Sequence, residues 1–459
     1  MSDSKSSAGG VEFQRVLGLG SATAVVIGAI VGVGIFLTPG GIAQTTGSAQ
    51  LALTAWILGG VIALFGALTF AELGGVYSRA GGQYEAIRDA YGPFMGFLFV
   101  FCNATAVQAG ALAVIANFAG KYLLITLGVV DPAPNYCVLL GSLIVVLLGI
   151  ANWLGVRWGA FAQNACVIAK MATLVLVVWL AVRFTGAENL SSTSEVVNES
   201  VRENGLLAVL LAGLVPALFA YGGWQHALWV GGEVKNPSRN IPLAIMVGVL
   251  IVIAVYVSLN VALFHLLGFA EVVKSKTVVA DAVAVVWPKG GRQLVSATLT
   301  FSAIGVLNAQ LFSGPRLICG MARDGRFFKP FGILDARFAT PHLAIALLAG
   351  MGLLLLWLVG ADRTDNLLNG VVLIDSVFFL LTGLGLILLR RRTSPSEWPF
   401  RAPLFPLFPA LFCVGEILVI CGAFSMEKYR NSAYISLIWI AAAAVLYFLF
   451  FWKKADRSN

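Results

Sequence analysis

The chain has 459 residues, of which 59% are hydrophobic and 11% charged, with a formal net charge of +8 and a mean hydropathy of +0.89. Soluble domains carry about 25% charged residues, so this balance excludes a water-soluble fold and points to a polytopic membrane protein. The positive charge needs no nucleic acid to explain it, because basic loops facing anionic lipid headgroups are the ordinary case.

The polar opening MSDSKSSAGG lacks a cationic region followed by a short apolar run and a small-residue cleavage site, so no secretory signal is expected. Twelve membrane-length apolar runs follow. Spans 1 to 5 are expected at 16–46, 51–77, 93–125, 137–154 and 157–184. Spans 6 to 10 are expected at 206–231, 241–267, 292–322, 341–360 and 367–390, and spans 11 and 12 at 402–424 and 431–452. With the N-terminus inside, about twice as many Lys and Arg fall on the cytoplasmic side as outside, which predicts both termini in the cytoplasm. The six cysteines form no CxxC pair and lie mostly in apolar runs, and the three histidines are far apart. No metal site and no cofactor are expected. No GxxxxGK[ST] phosphate loop is present, so the chain does not drive pumping with ATP by itself.

Span 1 contains AIVGVGIFLTPGG, Ala29 to Gly41, which places Gly32, Gly34, Pro39, Gly40 and Gly41 at mid-membrane. These are poor helix residues. Span 6 contains LVPALFAYGGWQ, Leu214 to Gln225, with Pro216 and the pair Gly222-Gly223. One intramembrane glycine signifies close helix packing. Two interrupted helices, each first in a consecutive group of five, signify an inverted-repeat secondary transporter with its site at the midplane. Unwinding frees the N–H groups of Gly32, Val33, Gly34 and Ile35, and the half-helix after them presents its positive end; both attract a carboxylate. Freed carbonyls at Ile30, Phe219, Ala220 and Gly222 accept hydrogen bonds from an ammonium. Anion donors on one broken span and cation acceptors on both describe a site for a zwitterion, and the natural zwitterion is an amino acid.

At these residues the chain resembles the amino acid–polyamine–organocation transporters, most closely their L-type amino acid transporter branch. The matching segments are IVGVGIF in span 1, AELGGVYSRAGGQYE after span 2 and FAYGGWQ…EVKNPSRNIPLAI through spans 6 and 7. GPRLICGMARDGRFF at the end of span 8 and LLRRR…PFRAP after span 10 match as well. The resemblance covers roughly residues 15 to 410. It implies an all-α, leucine-transporter-like fold of five plus five inverted helices with two appended. It also implies alternating access, and amino acid movement by exchange and without sodium. On this chain the domains then read as a tail at 1–15, a transport core at 16–390 (repeats 16–184 and 206–390), a basic loop at 391–401, appended helices at 402–452 and a tail at 453–459.

Carried over by position, Gly32, Val33 and Gly34 hold the substrate carboxylate through main-chain N–H. Ile30, Phe219, Ala220 and Gly222 hold its amino group, and Phe219 closes over it as an aromatic gate. The family often has Ser or Ala at the position of Val33, so a hydroxyl contact is absent here. Relatives in animals pair with a single-span glycoprotein through an external cysteine between spans 3 and 4. Cys137 starts span 4 instead, so no heavy-chain partner is inferred, and the sequence does not fix the oligomeric state.

Lys170 in span 5 lies too far from either end to snorkel. Its ammonium is expected to bridge span 1 near its break and span 8. The resemblance implies the same, since some members carry a Lys where sodium-coupled relatives of this fold bind sodium. Lys170 is also a candidate proton carrier. Asp375 in span 10 is either satisfied by neighbouring helices or touches a polar or cationic substrate tail. Glu72 is expected to tie down a cytoplasmic loop, Glu416 to be a packing or interface carboxylate outside the ten-span core, and His226 to be internally satisfied. Trp224, next to the span 6 break, either locks the half-helix or walls the site.

The leading expectation is sodium-independent transport of neutral L-amino acids in the cell membrane, because Tyr221-Gly222-Gly223 offers no acid to pair a cationic tail. The alternative is the same fold carrying cationic amino acids or polyamines against Asp375. No filter sequence supports a channel, the short tails leave no output domain for a sensor, and no catalytic pair supports an intramembrane enzyme.

Overall fold

The computed structural model describes residues 11–184, 205–275, 277–288, 290–360, 364–425 and 427–452. Among them the regular elements are helices, joined by two isolated β-bridges, Leu17 with Val234 and Ala80 with Val230. Span 1 is two helices, 1a (Leu19–Ile30) and 1b (Gly34–Thr46), bent by 43°. Spans 2 to 5 are Ala49–Val76, Pro93–Thr126, Pro134–Trp153 and Val156–Arg183. Span 6 is Leu206–Trp229, and spans 7 to 10 are Pro237–Leu267, Gly291–Arg323, His342–Val359 and Thr364–Arg392. Leu407–Ser425 and Glu427–Phe450 stand where spans 11 and 12 are expected.

Ten of the described helices are long and apolar enough to cross a bilayer, and the bent pair makes an eleventh span. The sequence expects twelve. The difference is the span 11 helix, whose apolar stretch runs only from Leu407 to Gly422, short of the roughly 20 residues of a full crossing. Three short helices were not anticipated: Gly82–Tyr91 after span 2, and Phe269–Lys274 and Val278–Val286 before span 8. They are too short to register as membrane-length apolar runs.

Local chemistry accounts for the boundaries. The Ser48 hydroxyl accepts the Leu51 N–H at 3.1 Å and caps span 2. Pro93, Pro134 and Pro237 open their helices at positions where the missing N–H costs nothing. Spans 3 and 4 pack backbone to backbone: a Cβ on Gly120 would lie 2.0 Å from Cys137 O, and one on Gly141 2.3 Å from Ala116 O. These two glycines serve close helix packing.

Helix 1a packs on span 7 and span 6 packs on span 2, while spans 2 and 7 pair with each other, as do spans 3 and 8. These pairings are unchanged when spans 1, 2 and 3 are exchanged for spans 6, 7 and 8. Spans 1, 2, 6 and 7 thereby form one group, and spans 3, 4, 8 and 9 another, with the two breaks between them. Span 11 packs on spans 10 and 2.

At the end of span 2, Glu72 is fully buried, lies 3.2 Å from the Arg390 guanidinium and accepts the Ala402 N–H at 2.9 Å. It therefore ties span 2 to the basic loop after span 10. Glu72→Ala is expected to destabilise the protein by about 3 kcal/mol, since it strands a cation and an amide in a buried site. The readout is a lowered unfolding midpoint in detergent; an unchanged midpoint refutes the tie.

Candidate functional site

The break in span 1 is short and tightly bonded. Val31 donates its N–H to Ile27 O at 2.8 Å, and Gly32 donates to Ile30 O at 2.8 Å. Helix 1b then starts at Gly34, and Phe36 N–H reaches back to Val33 O at 3.1 Å. The amides of Val33, Gly34 and Ile35 thus open helix 1b with no carbonyl a turn earlier to accept them.

Span 6 is α-helical to Tyr221 and resumes only as the four-residue turn His226–Trp229. Gly222 is extended, and its N–H donates to Phe219 O at 3.2 Å. Gly223 has φ +132°, and a Cβ there would lie 2.8 Å from Ala29 C and from Ile30 N. Across the gap, a Cβ on Gly34 would meet Ala220 Cα at 3.4 Å. The two breaks are therefore in close contact, and at Gly223 only glycine permits it.

Two groups expected at opposite poles of a ligand, Gly32 N–H and Ile30 O, are bonded to each other here. Ile30 O also accepts the Tyr256 hydroxyl at 3.1 Å. The donors left open are those of Val33, Gly34 and Ile35.

Lys170 is fully buried behind the break, not beside a ligand. Its Nζ donates to Gly28 O at 2.8 Å and to Val31 O. The Ser302 hydroxyl of span 8 donates to the same Val31 O at 3.3 Å, and a Cβ on Gly305 of span 8 would sit 3.6 Å from Nζ. The ammonium holds carbonyls at the end of helix 1a, with span 8 closing over it.

Between the two groups of spans lies a cavity of about 190 Å³. Ile30, Gly32, Val33, Gly34, Phe219, Ala220, Gly222, Trp224 and Asp375 all line it. Ile35 does not; its side chain is fully buried. Trp224 is both a wedge and a wall: its ring stacks 5.8 Å from Phe379 and meets Phe70 and Phe412 edge-on at 6.3 Å. His226 lines the cavity and pairs its Nδ1 with the Ser313 hydroxyl.

The structure corrects the placement of Glu416. Expected outside the core as a packing or interface carboxylate, it lines the same cavity as Asp375. The cause is the packing of span 11 on spans 10 and 2, which turns this residue inward. Gln108, Gln225 and Gln310 also line the cavity and were missed. An intramembrane amide is itself the signal that could have found them.

Below the cavity, Glu233 just after span 6 and Arg316 of span 8 form an ion pair at 2.8 Å, both fully buried. Burial pushes the Glu233 carboxyl up, and the Arg316 guanidinium pulls it partly back. Trp229 Nε1 donates to Gln83 Oε1 at 2.9 Å, and Gln83 Nε2 to the Thr382 hydroxyl at 3.0 Å, so the end of span 6 is linked to span 10. Among the described residues no group of His, Cys, Asp and Glu is arranged to hold a metal ion.

The profile of the amino acid permease family matches residues 17–451. The chain is 28% identical to the serine/threonine exchanger SteT of Bacillus subtilis, over 95% of this chain and 96% of that protein. It is 31% identical to the large neutral amino acids transporter small subunit 2 of Mus musculus, over 92% and 80%. It is 28% identical to the human b(0,+)-type amino acid transporter 1, over 95% and 88%.

Proposed function

The chain belongs to the amino acid permease family, and on that premise we propose that it moves neutral L-amino acids across the cell membrane by alternating access, without sodium, by exchange or with protons. The observation that carries the reading is the meeting of two broken spans at one cavity. The open amides of Val33 and Gly34, which line the cavity, suit a carboxylate, and the carbonyls of the span 6 break suit an ammonium. Phe219 lines the cavity and is assigned the gate. Lys170 holds two carbonyls behind span 1 with its side-chain nitrogen, which supports sodium independence.

The absence of an acid in Tyr221-Gly222-Gly223 supports neutral side chains, and so do the names of two relatives, a serine/threonine exchanger and a large neutral amino acids transporter. A second reading, cationic amino acids or polyamines, is favoured by Asp375 on the cavity wall. The division into repeats 16–184 and 206–390 with an appended pair at 402–452, and cytoplasmic termini, complete the proposal. No heavy-chain partner is assigned: Cys137 is 3% exposed within its helix, poorly placed for an external disulfide.

The test is uptake of labelled amino acids into sodium-free proteoliposomes with an empty lumen, a preloaded lumen or an imposed pH gradient. Neutral amino acids are expected to enter, fastest against a preloaded lumen if exchange dominates and with inward protons if symport does. Uptake that requires sodium, or none under any condition, overturns the reading.

A further inference from the structure

We propose that Asp375 of span 10 and Glu416 of span 11 form an acidic compartment of the cavity that takes the positive end of a basic amino acid side chain. The proposal rests on the breaks as the seat of the amino and carboxyl groups, and it extends the substrate range from neutral to basic amino acids. It also gives the appended helices a part in selectivity.

Both carboxyls line the one cavity. Glu416 is 9% exposed and Asp375 half-buried. Among the described residues neither carboxyl has an ion-pair partner. The intramembrane cation of span 5, Lys170, is committed to Gly28 and Val31, and His226 to Ser313. Two acids facing one cavity without a counter-charge are costly in a membrane interior unless they bind protons or a cation, and a basic substrate supplies the cation.

An independent observation gives the missing partner its chemistry. Gln108, Gln225 and Gln310 are 3%, 3% and 6% exposed, line the same cavity, and each has an Oε1 with no donor. The cavity wall therefore holds two carboxyls and three unmet amide oxygens, to which an ammonium brings three N–H groups and a guanidinium five.

The experiment uses the full-length protein in sodium-free proteoliposomes and pairs of substrates alike in shape and different in charge: lysine against norleucine, and arginine against citrulline. The wild type is expected to carry lysine and arginine. Glu416→Gln and Asp375→Asn are each expected to lower the lysine-to-norleucine ratio of kcat/KM about tenfold or more, the usual effect of losing a bond to a charged group. Glu416→Asp, which keeps the charge, is expected to recover part of the ratio. Because the ratio is taken within one variant, reduced yield of folded protein does not enter it. If Glu416→Gln does not fold, the same comparison is made with Glu416→Asp and Asp375→Asn. A wild type that carries norleucine and excludes lysine overturns the proposal and leaves the amino acid reading standing, as does a ratio unchanged in the variants. Failure to carry any of the four overturns both.

Discussion

Lys170→Ala is expected to reduce sodium-free uptake by at least about a hundredfold. The ammonium donates to Gly28 O and Val31 O, two carbonyls at the end of helix 1a that the break leaves without helical partners. Removing it leaves Gly28 O without its donor and Val31 O with only the Ser302 hydroxyl, at about 1–3 kcal/mol for an unmet buried carbonyl. It also empties the space of a fully buried four-carbon stem beside Gly305 of span 8. The lost free energy falls on the segment that presents Val33 and Gly34 to the cavity, so uptake suffers before global folding does. Lys170→Met separates packing from hydrogen bonding and charge: it refills the space and is expected to recover the packing share of the stability but not transport. Sodium-stimulated uptake by the alanine variant would identify the ammonium as the stand-in for a bound cation. Transport at the wild-type rate with the wild-type pH profile would remove both the bridging and the proton-carrying roles.

What the sequence made legible, and what it hid, follows from the range of the forces involved. The spans were readable because hydrocarbon imposes an apolar run of fixed length on each. The breaks were readable because Gly32, Gly34, Gly222 and Gly223 stand where a helix is otherwise obligatory. Lys170 announced itself by its cost, and its partners on span 1 were expected. Glu416 did not, because its role depends on which face of span 11 meets spans 10 and 2, and a helix apolar all round carries no stripe to say so. The Gly32–Ile30 hydrogen bond was hidden for a related reason: unwinding frees polar groups, but which of them then find each other is decided by a few degrees of backbone rotation. The short helix Gly82–Tyr91 escaped because a search for membrane-length runs passes over a ten-residue amphipathic segment.

Gly223→Ala is expected to abolish transport and to lower the unfolding midpoint, through two independent penalties at one atom. The residue has φ +132°, a conformation side chains rarely adopt and one that costs about 1–3 kcal/mol outside glycine. The added Cβ would also stand 2.8 Å from Ala29 C and Ile30 N, which are main-chain atoms of helix 1a and cannot rotate aside. Relief requires the two breaks to part, and both of them line the cavity. Gly222→Ala provides the comparison: that residue has φ −65° and ψ 151°, open to any residue, and the nearest atom to its Cβ is Phe219 O at 3.5 Å. The folding midpoint is therefore expected to fall for Gly223→Ala and not for its neighbour, measured on both proteins purified in the same detergent. Equal midpoints would mean that helix 1a yields at Ala29 without cost. The contact between the breaks would then be a feature of one conformation of the carrier, not a fixed hinge on which the site is built.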